Sequence, residues 1–505
     1  MFASVGQIGS IGKQFALNPV AAALNSSVLF APLTHSAVLT RGTGSPTFTR
    51  ATTKIVEDHE GILRTLKSGE IGFTGARRVE NLFTATTTLS TQGVTTVVGD
   101  YTISFTGTGT ITFSGTATGT LVGTGASDRV QVTKITTAGT LTCTVSGSVT
   151  LAQCEFVSGQ SDQSAAEYVS VGVLSSPAYH GSMVDGVKCF NTTLAGAAIP
   201  ASTLKKFSRH NLATNLLTYA DDITNAAWVK TTLTTAKTST GPDGKPNSAT
   251  RCTATGANAL ALQTITAAAS SRTSSFYVKR ITGTGAFELT QDNSTFTAKT
   301  TTTGWTRVKL NASILNAQVG FRIVTSGDAF DIFCGQFEAG VIASPPIQTT
   351  TIAVTRNADI LTYPQSGNID LTVGTAYAEV YTPDWEADAN QRTILGTGGG
   401  AADILYVNNA ASTTCLIADD VTVVTKTGLS DTKTGTRKRI SSWGPVGMTV
   451  TGDGLAYATG VFDGGMPNAG GTIKVGGSFG LDGNVGNIHI WPSQVSESIQ
   501  RGVTA

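Results

Sequence analysis

Charge is scarce in this chain. Asp, Glu, Lys and Arg make up 13% of 505 residues, about half the usual share, and the formal net charge is +1. No basic field exists to draw in nucleic acid or an anionic lipid surface. Long apolar runs are missing as well. None approaches the ~20 residues a membrane helix requires, so no membrane insertion is expected. The opening MFASVGQIGSIGKQF lacks an h-region, which argues against a cleaved signal peptide. Cysteine is sparse and scattered: Cys143, Cys154, Cys189, Cys252, Cys334 and Cys415 form no CxxC pair and no zinc spacing. They read as buried small apolar residues of a chain made in a reducing cytoplasm. Heptads and helices longer than about three turns are absent. The histidines at 35, 59, 180, 210 and 489 are far apart, so no Ser/His/Asp or Cys/His set can be drawn, and no GxSxG elbow occurs.

What the chain does have is apolar residues, threonine and glycine. Hydrophobic residues reach 40%, so low charge does not mean disorder, which requires low hydrophobicity too. Threonine is β-branched and suits a pleated surface; the 57 glycines supply tight turns. The composition predicts an all-β protein, and the length predicts about three or four domains.

Residues 1–80 read as an N-terminal arm with one short helix, Pro19 to Asn25. In 81–210, Tyr101, Ile103 and Phe105 alternate with Thr102 and Ser104, the pattern of a half-buried strand. Ile111/Phe113 and Leu141/Cys143/Val145 repeat it. The Thr/Gly stretch 106–125 keeps the alternation and is read as short strands joined by glycine turns, not as a linker. In 211–360 the pattern restarts, and the two segments look like a repeat. Each opens on Asn-Leu-(Leu/Phe), at Asn81 and Asn215. Each has an early aromatic strand, and each ends on Gln-x-Glu, at Gln153/Glu155 and Gln336/Glu338. In 361–505, strands are expected at 376–381, 404–407, 446–450, 472–475 and 485–491. A final helix follows, with Ser493 or Ser496 as cap and Glu497 in its first turn.

These segments carry a resemblance. Asn215-Leu-Leu-Thr-Tyr219, Asn225-Ala-Ala-Trp228, Pro242-Asp-Gly244, Ser275-Phe-Tyr-Val-Lys279, Gly304-Trp305, Gln336-Phe-Glu-Ala-Gly340 and the exit 345–359 resemble the carbohydrate-binding-module-like jelly roll of phage structural proteins. The first repeat matches more weakly, through 99–105 and 149–156. Gly483-Asn-Val-Gly-Asn-Ile-His-Ile-Trp491 with 493–505 is similar to a concanavalin A-like lectin or glucanase sandwich. The resemblance implies tandem β-sandwich (jelly-roll) modules closed by a concanavalin A-like C-terminal sandwich. It implies a virion fibre or spike subunit, assembled in the host cytoplasm and attached to other virion proteins (tail, portal or capsid) through residues 1–80. By analogy with fibre proteins the homo-oligomer is a trimer. Host surface glycans are the expected ligands. A head decoration protein without ligand is the alternative, and a glycan depolymerase a more distant one.

Several clusters tempt a chemical reading. Glu57-Asp58-His59-Glu60 is dense in metal ligands, but chain neighbours usually diverge, and a solvated turn is the plainer reading. Asp384-Trp385-Glu386 with Asp388 lacks the alternating strand spacing of a glucanase carboxylate set. Gly396–Gly400 has neither the Lys-Ser/Thr nor the helix of a phosphate loop. Asp463-Gly and Asp482-Gly are turn signals first and calcium ligands second. Neither catalytic residue, metal site nor cofactor is expected. Of the tryptophans, Trp305 and Trp491 sit in strand patterns and read as core. Trp385 and Trp443 lie in loop-like contexts and are the candidate platforms on which a sugar ring would stack.

Overall fold

In the computed structural model, the described residues are 19–172, 180–204, 206–381, 391–397, 404–408, 414–419, 421–427, 429, 436–468, 470–477 and 481–505. The strand alternation works as expected in the first module. Leu141, Cys143, Ile111 and Phe113 point inward from a sheet ordered Gly119–Val122, Thr110–Gly115, Gly139–Ser146, Gln92–Thr96. Tyr101, Ile103 and Phe105 meet them from the opposing sheet, Gly125–Thr136, Gly99–Gly107, Thr150–Phe156. The Thr/Gly stretch is strand-forming, as the alternation predicts. The second module opposes two five-stranded sheets. One is built on Ala259–Ile265 and Ala317–Ile323, the other on Ser270–Thr282 and Ala329–Ala339. Its core is aromatic: Phe276 meets Phe321 edge-on at 5.7 Å, and Phe287 lies 5.1 Å from Phe330.

The repeat holds at the level of single bonds. Asn81 Nδ2 donates to the carbonyls of Ala152 and Val169, and its Oδ1 accepts from the amides of Phe83 and Cys154. Asn215 does the same with Gly335, Ile347, Leu217 and Phe337. Gln153 Nε2 bonds Glu155, whose Oε1 accepts from the Ala166 amide. Gln336 Nε2 bonds Glu338, whose Oε1 accepts from Ser344. Both Asn residues are almost wholly buried. A buried amide with all its groups matched locks the first strand of each module to its last.

The C-terminal sandwich departs from the division of the chain at 80 and 360. One of its sheets runs Ala458–Gly460, Met448–Gly452, Thr436–Trp443, Gly374–Tyr381, Gly483–Trp491, Lys206–Arg209, Phe73–Thr74. Leu29–Ala31 also pairs with Gly483–Trp491. The other runs Thr47–Thr49, Ile360–Pro364, Thr472–Val475, Gln391–Gly396, Leu405–Asn408, Thr414–Ala418, Val423–Lys426. Leu29–Ala31, Thr47–Thr49 and Phe73–Thr74 are therefore woven into the C-terminal sheets, while Lys54–Glu57 and Leu63–Leu66 form a hairpin of their own and Arg77–Glu80 pairs with Val187–Phe190. Leu29, Ala31, Phe48, Ile71 and Phe73 share one core with Leu361, Val485 and Ile490. Strands of two to four residues carry too little alternation to show in the sequence, and their partners lie far along the chain. The helix expected at Pro19–Asn25 is present, and the carbonyl of Ala23 accepts the indole N–H of Trp491 at 2.7 Å. The final helix is Glu497–Thr504, with Ser496 at the cap position but without a side-chain capping bond.

Candidate functional site

The two modules and the sandwich meet around the hairpin Lys54–Glu57/Leu63–Leu66. A cavity of about 380 Å³ opens there, within the size range of small-ligand sites. The second module supplies Tyr277, Trp305, Arg307 and Lys309; the hairpin supplies Glu57; His210, Tyr381 and Asn484 close the other side.

Strand parity explains the wall. Val308 packs into the module core, with Leu310 and Ile314 against it. Residues of the opposite parity, Arg307 and Lys309, must then face outward, and Trp305, just before the strand, follows them. Arg307 sits opposite Tyr277 in the register, with its guanidinium 5.4 Å from the ring centroid. Its Nη2 donates to Ser275 Oγ at 2.9 Å, while its Nε is buried without an acceptor. Burial raises the Tyr277 hydroxyl to about 12, so it stays a neutral donor. Burial, and then the charges of Lys54, Arg356 and other neighbours, hold His210 well below its ordinary range, so it stays neutral. Glu57 is the one carboxylate among the described residues that line the cavity.

The tryptophans trade places relative to expectation. Trp443 is fully buried at the end of strand Thr436–Trp443, and its indole N–H donates to the carbonyl of Asp370 at 3.0 Å. It is a core residue and offers no face to a sugar. Trp305, read as core, is only half-buried and lines the cavity. The signal that finds it is the shared odd parity of Trp305, Arg307 and Lys309 against Val308 and Leu310. Trp385 and its neighbours Asp384, Glu386 and Asp388 lie outside the described residues, as do Gly398–Gly400. Trp228 and Trp491 are buried.

The acidic clusters resolve into local structure. Asp58 accepts from the amides of Glu60 and Ile62 and pairs with Arg64 Nε at 2.7 Å, so it organises the hairpin turn. Glu60 reaches away to Ser161. Asp463 closes a turn on Gly465. Asp482 bonds the backbone and side-chain amides of Asn211 at 2.7 Å each and thereby clamps the segment between the modules. Among the described residues no group of three or more His, Cys, Asp or Glu is placed to hold a metal ion. The six cysteines are free and buried.

No family model matches the chain, and no curated protein matches it. Among solved structures, the chain is similar to the N-terminal CBM22-1–CBM22-2 tandem domain of Xyn10C from Paenibacillus barcinonensis. The likeness covers 58% of this chain and 95% of that one, at 10% identity and a TM-score of 0.20. At that score it has no bearing on function.

Proposed function

We propose that this chain is a virion structural protein of the fibre or spike type that binds a saccharide in the junction cavity and does not cleave it. The observation that carries the binding reading is the cavity wall itself. A half-buried indole and a phenol ring, Trp305 and Tyr277, line it beside the Arg307 guanidinium and the Lys309 ammonium. Aromatic faces take the apolar side of a pyranose, and fixed donors take its hydroxyls. Hydrolysis by two carboxylates would need a flanking pair, and Glu57 alone lines the described wall.

The virion placement rests on the sequence resemblance, as does the trimer. In a trimer each copy would present one cavity, and weak sites would act together through avidity. A partner docking on residues 29–80 would meet the C-terminal sandwich at the same time, because these share sheets. Trp385, which follows Tyr381 closely in sequence, stays a candidate contact.

The test is calorimetric titration of the full chain with host-surface oligosaccharides. Trp305→Ala should weaken binding about two- to tenfold, since an aromatic contact is worth about 0.5–1.5 kcal/mol and 1.4 kcal/mol is tenfold. Unchanged affinity in Trp305→Ala would overturn the site, and absence of any saccharide binding would overturn the reading.

A further inference from the structure

Below the saccharide cavity lies a second, smaller one that this reading does not use. Arg356 is 2% exposed, and its guanidinium is only partly satisfied. Nη2 donates to the carbonyl of Asn211 at 3.1 Å. Nε and Nη1 have no hydrogen-bond acceptor. Asp359 Oδ2 is 3.8 Å from Nη1, close enough for an ion pair and too far for a hydrogen bond. That carboxylate is already committed. Its Oδ1 accepts from Arg50 at 2.9 Å, and its Oδ2 from Lys54 Nζ at 2.6 Å and from the His210 amide at 3.0 Å. Three cationic side chains thus converge on one fully buried carboxylate. Buried charge without a counter-charge is unfavourable, and native structures rarely leave such donors unmatched.

A cavity of about 70 Å³ adjoins this cluster. Lys54 and Arg356 line it together with Thr52, Thr53, Thr65 and Thr355. Thr52 Oγ accepts from the Asn357 amide at 2.9 Å, which leaves its hydroxyl hydrogen to donate. Thr53 and Thr65 are exposed, so the space communicates with solvent. We propose that this cavity binds a small monovalent inorganic anion, chloride under ordinary conditions, held by the Arg356 guanidinium and the threonine hydroxyls. Water would accept the same hydrogen bonds but would add no counter-charge to the cluster, where Asp359 is shared and, among the described residues, only Glu338 and Asp482 otherwise offset Arg356. The anion would tie the hairpin to the strand Val354–Arg356, and so fix the floor on which the larger cavity stands.

The experiment uses crystals of the full chain soaked in bromide, together with thermal denaturation in chloride and in gluconate at equal ionic strength. The expected result is an anomalous bromide peak within hydrogen-bond reach of Arg356 Nε or Nη1, and a higher Tm in chloride. Arg356→Met should abolish the difference between the salts. Should that variant not fold, Thr65→Val at the rim should shrink the difference while leaving Tm in gluconate little changed. Water at the guanidinium, no bromide peak and equal Tm in both salts would overturn the proposal.

Discussion

Leu151 and Cys334 hold the same left-handed backbone conformation, φ 47° in each, two residues before the Gln of their Gln-x-Glu pairs. At both places the register slips: between Thr150 and Gln153 in the first module, and opposite Ser275–Tyr277 in the second. A positive φ in a non-glycine residue costs about 1–2 kcal/mol. Its recurrence marks a bulge that aims the Gln inward, toward the amides it must satisfy. Leu151 is 40% exposed, so little packing is lost on truncation there. Leu151→Gly is expected to be neutral or stabilising by up to about 1 kcal/mol in chemical denaturation, and Leu151→Val destabilising by a similar amount.

The duplicated asparagines make a sharper prediction. Asn215→Asp would turn a carboxylate oxygen toward the carbonyls of Gly335 and Ile347, where Nδ2 now donates. With two buried acceptors unmatched at about 1–3 kcal/mol each, and a charge added, loss of the second module's fold is expected. Asn81→Asp should do the same to the first module. Hydrogen exchange read module by module would show whether each loss stays in its own sandwich.

Trp443 and Trp305 separate stability from binding. Trp443→Ala empties a fully buried site and should cost about 3–5 kcal/mol. Trp305→Ala, half-exposed at the cavity, should move Tm far less while weakening saccharide binding. A Trp305→Ala variant that unfolds as readily as Trp443→Ala would contradict this division.

Acid should loosen the N-terminal strand. His489 stacks on Phe30 at 4.4 Å and on Trp491 at 5.7 Å. Burial, then the nearby Arg41 charge, lower it from 6.5 to about 4. The unfolded chain therefore takes up this proton first. The associated stability is complete above about pH 6.5 and is lost as pH falls toward about 4, on the order of 3 kcal/mol in all. His489→Phe should keep the stack and flatten the slope of unfolding free energy against pH in that window.

Asp359 should be the costliest surface-remote acid to change. Asp359→Asn leaves Arg50 and Lys54 facing each other without a counter-charge, a loss of about 3–5 kcal/mol. Burial already lowers Lys54 to about 7, so Lys54 sheds its proton easily. Adding Lys54→Met to Asp359→Asn should recover part of the lost Tm, which a pure packing role for Asp359 would not allow.

Much of the modular fold was legible in the residues because its determinants are local. Period-2 alternation announced the strands around Tyr101 and Phe276. The buried Asn and Gln-x-Glu pairs stood out because a polar side chain repeated at matching places in two apolar segments needs a backbone to bond. The final strand was also legible, since Val485 to Trp491 is long and apolar. The strands Leu29–Ala31, Thr47–Thr49 and Phe73–Thr74 were not, because nothing local names a partner hundreds of residues away. The cavity was hidden for the same reason: Glu57, Trp305, Tyr381 and Asn484 come from four distant segments. Only the parity of Trp305 with Arg307 hinted at its wall. Trp443 misled because Gly444-Pro445 after it reads as loop, although the tryptophan itself closes a strand.

The strand Gly483–Trp491 pairs with Gly374–Tyr381 along one edge and with both Leu29–Ala31 and Lys206–Arg209 along the other. During synthesis it leaves the ribosome more than 400 residues after Leu29–Ala31 and more than 250 after Lys206–Arg209. Until then the N-terminal strands have no edge to join, while the two modules, whose pairings are internal, can close as they emerge. The sandwich therefore sets in only after Gly483–Trp491 has emerged. A chain cut short before Gly483 would carry two finished beads on an open thread, with strand edges ready to pair with those of another copy.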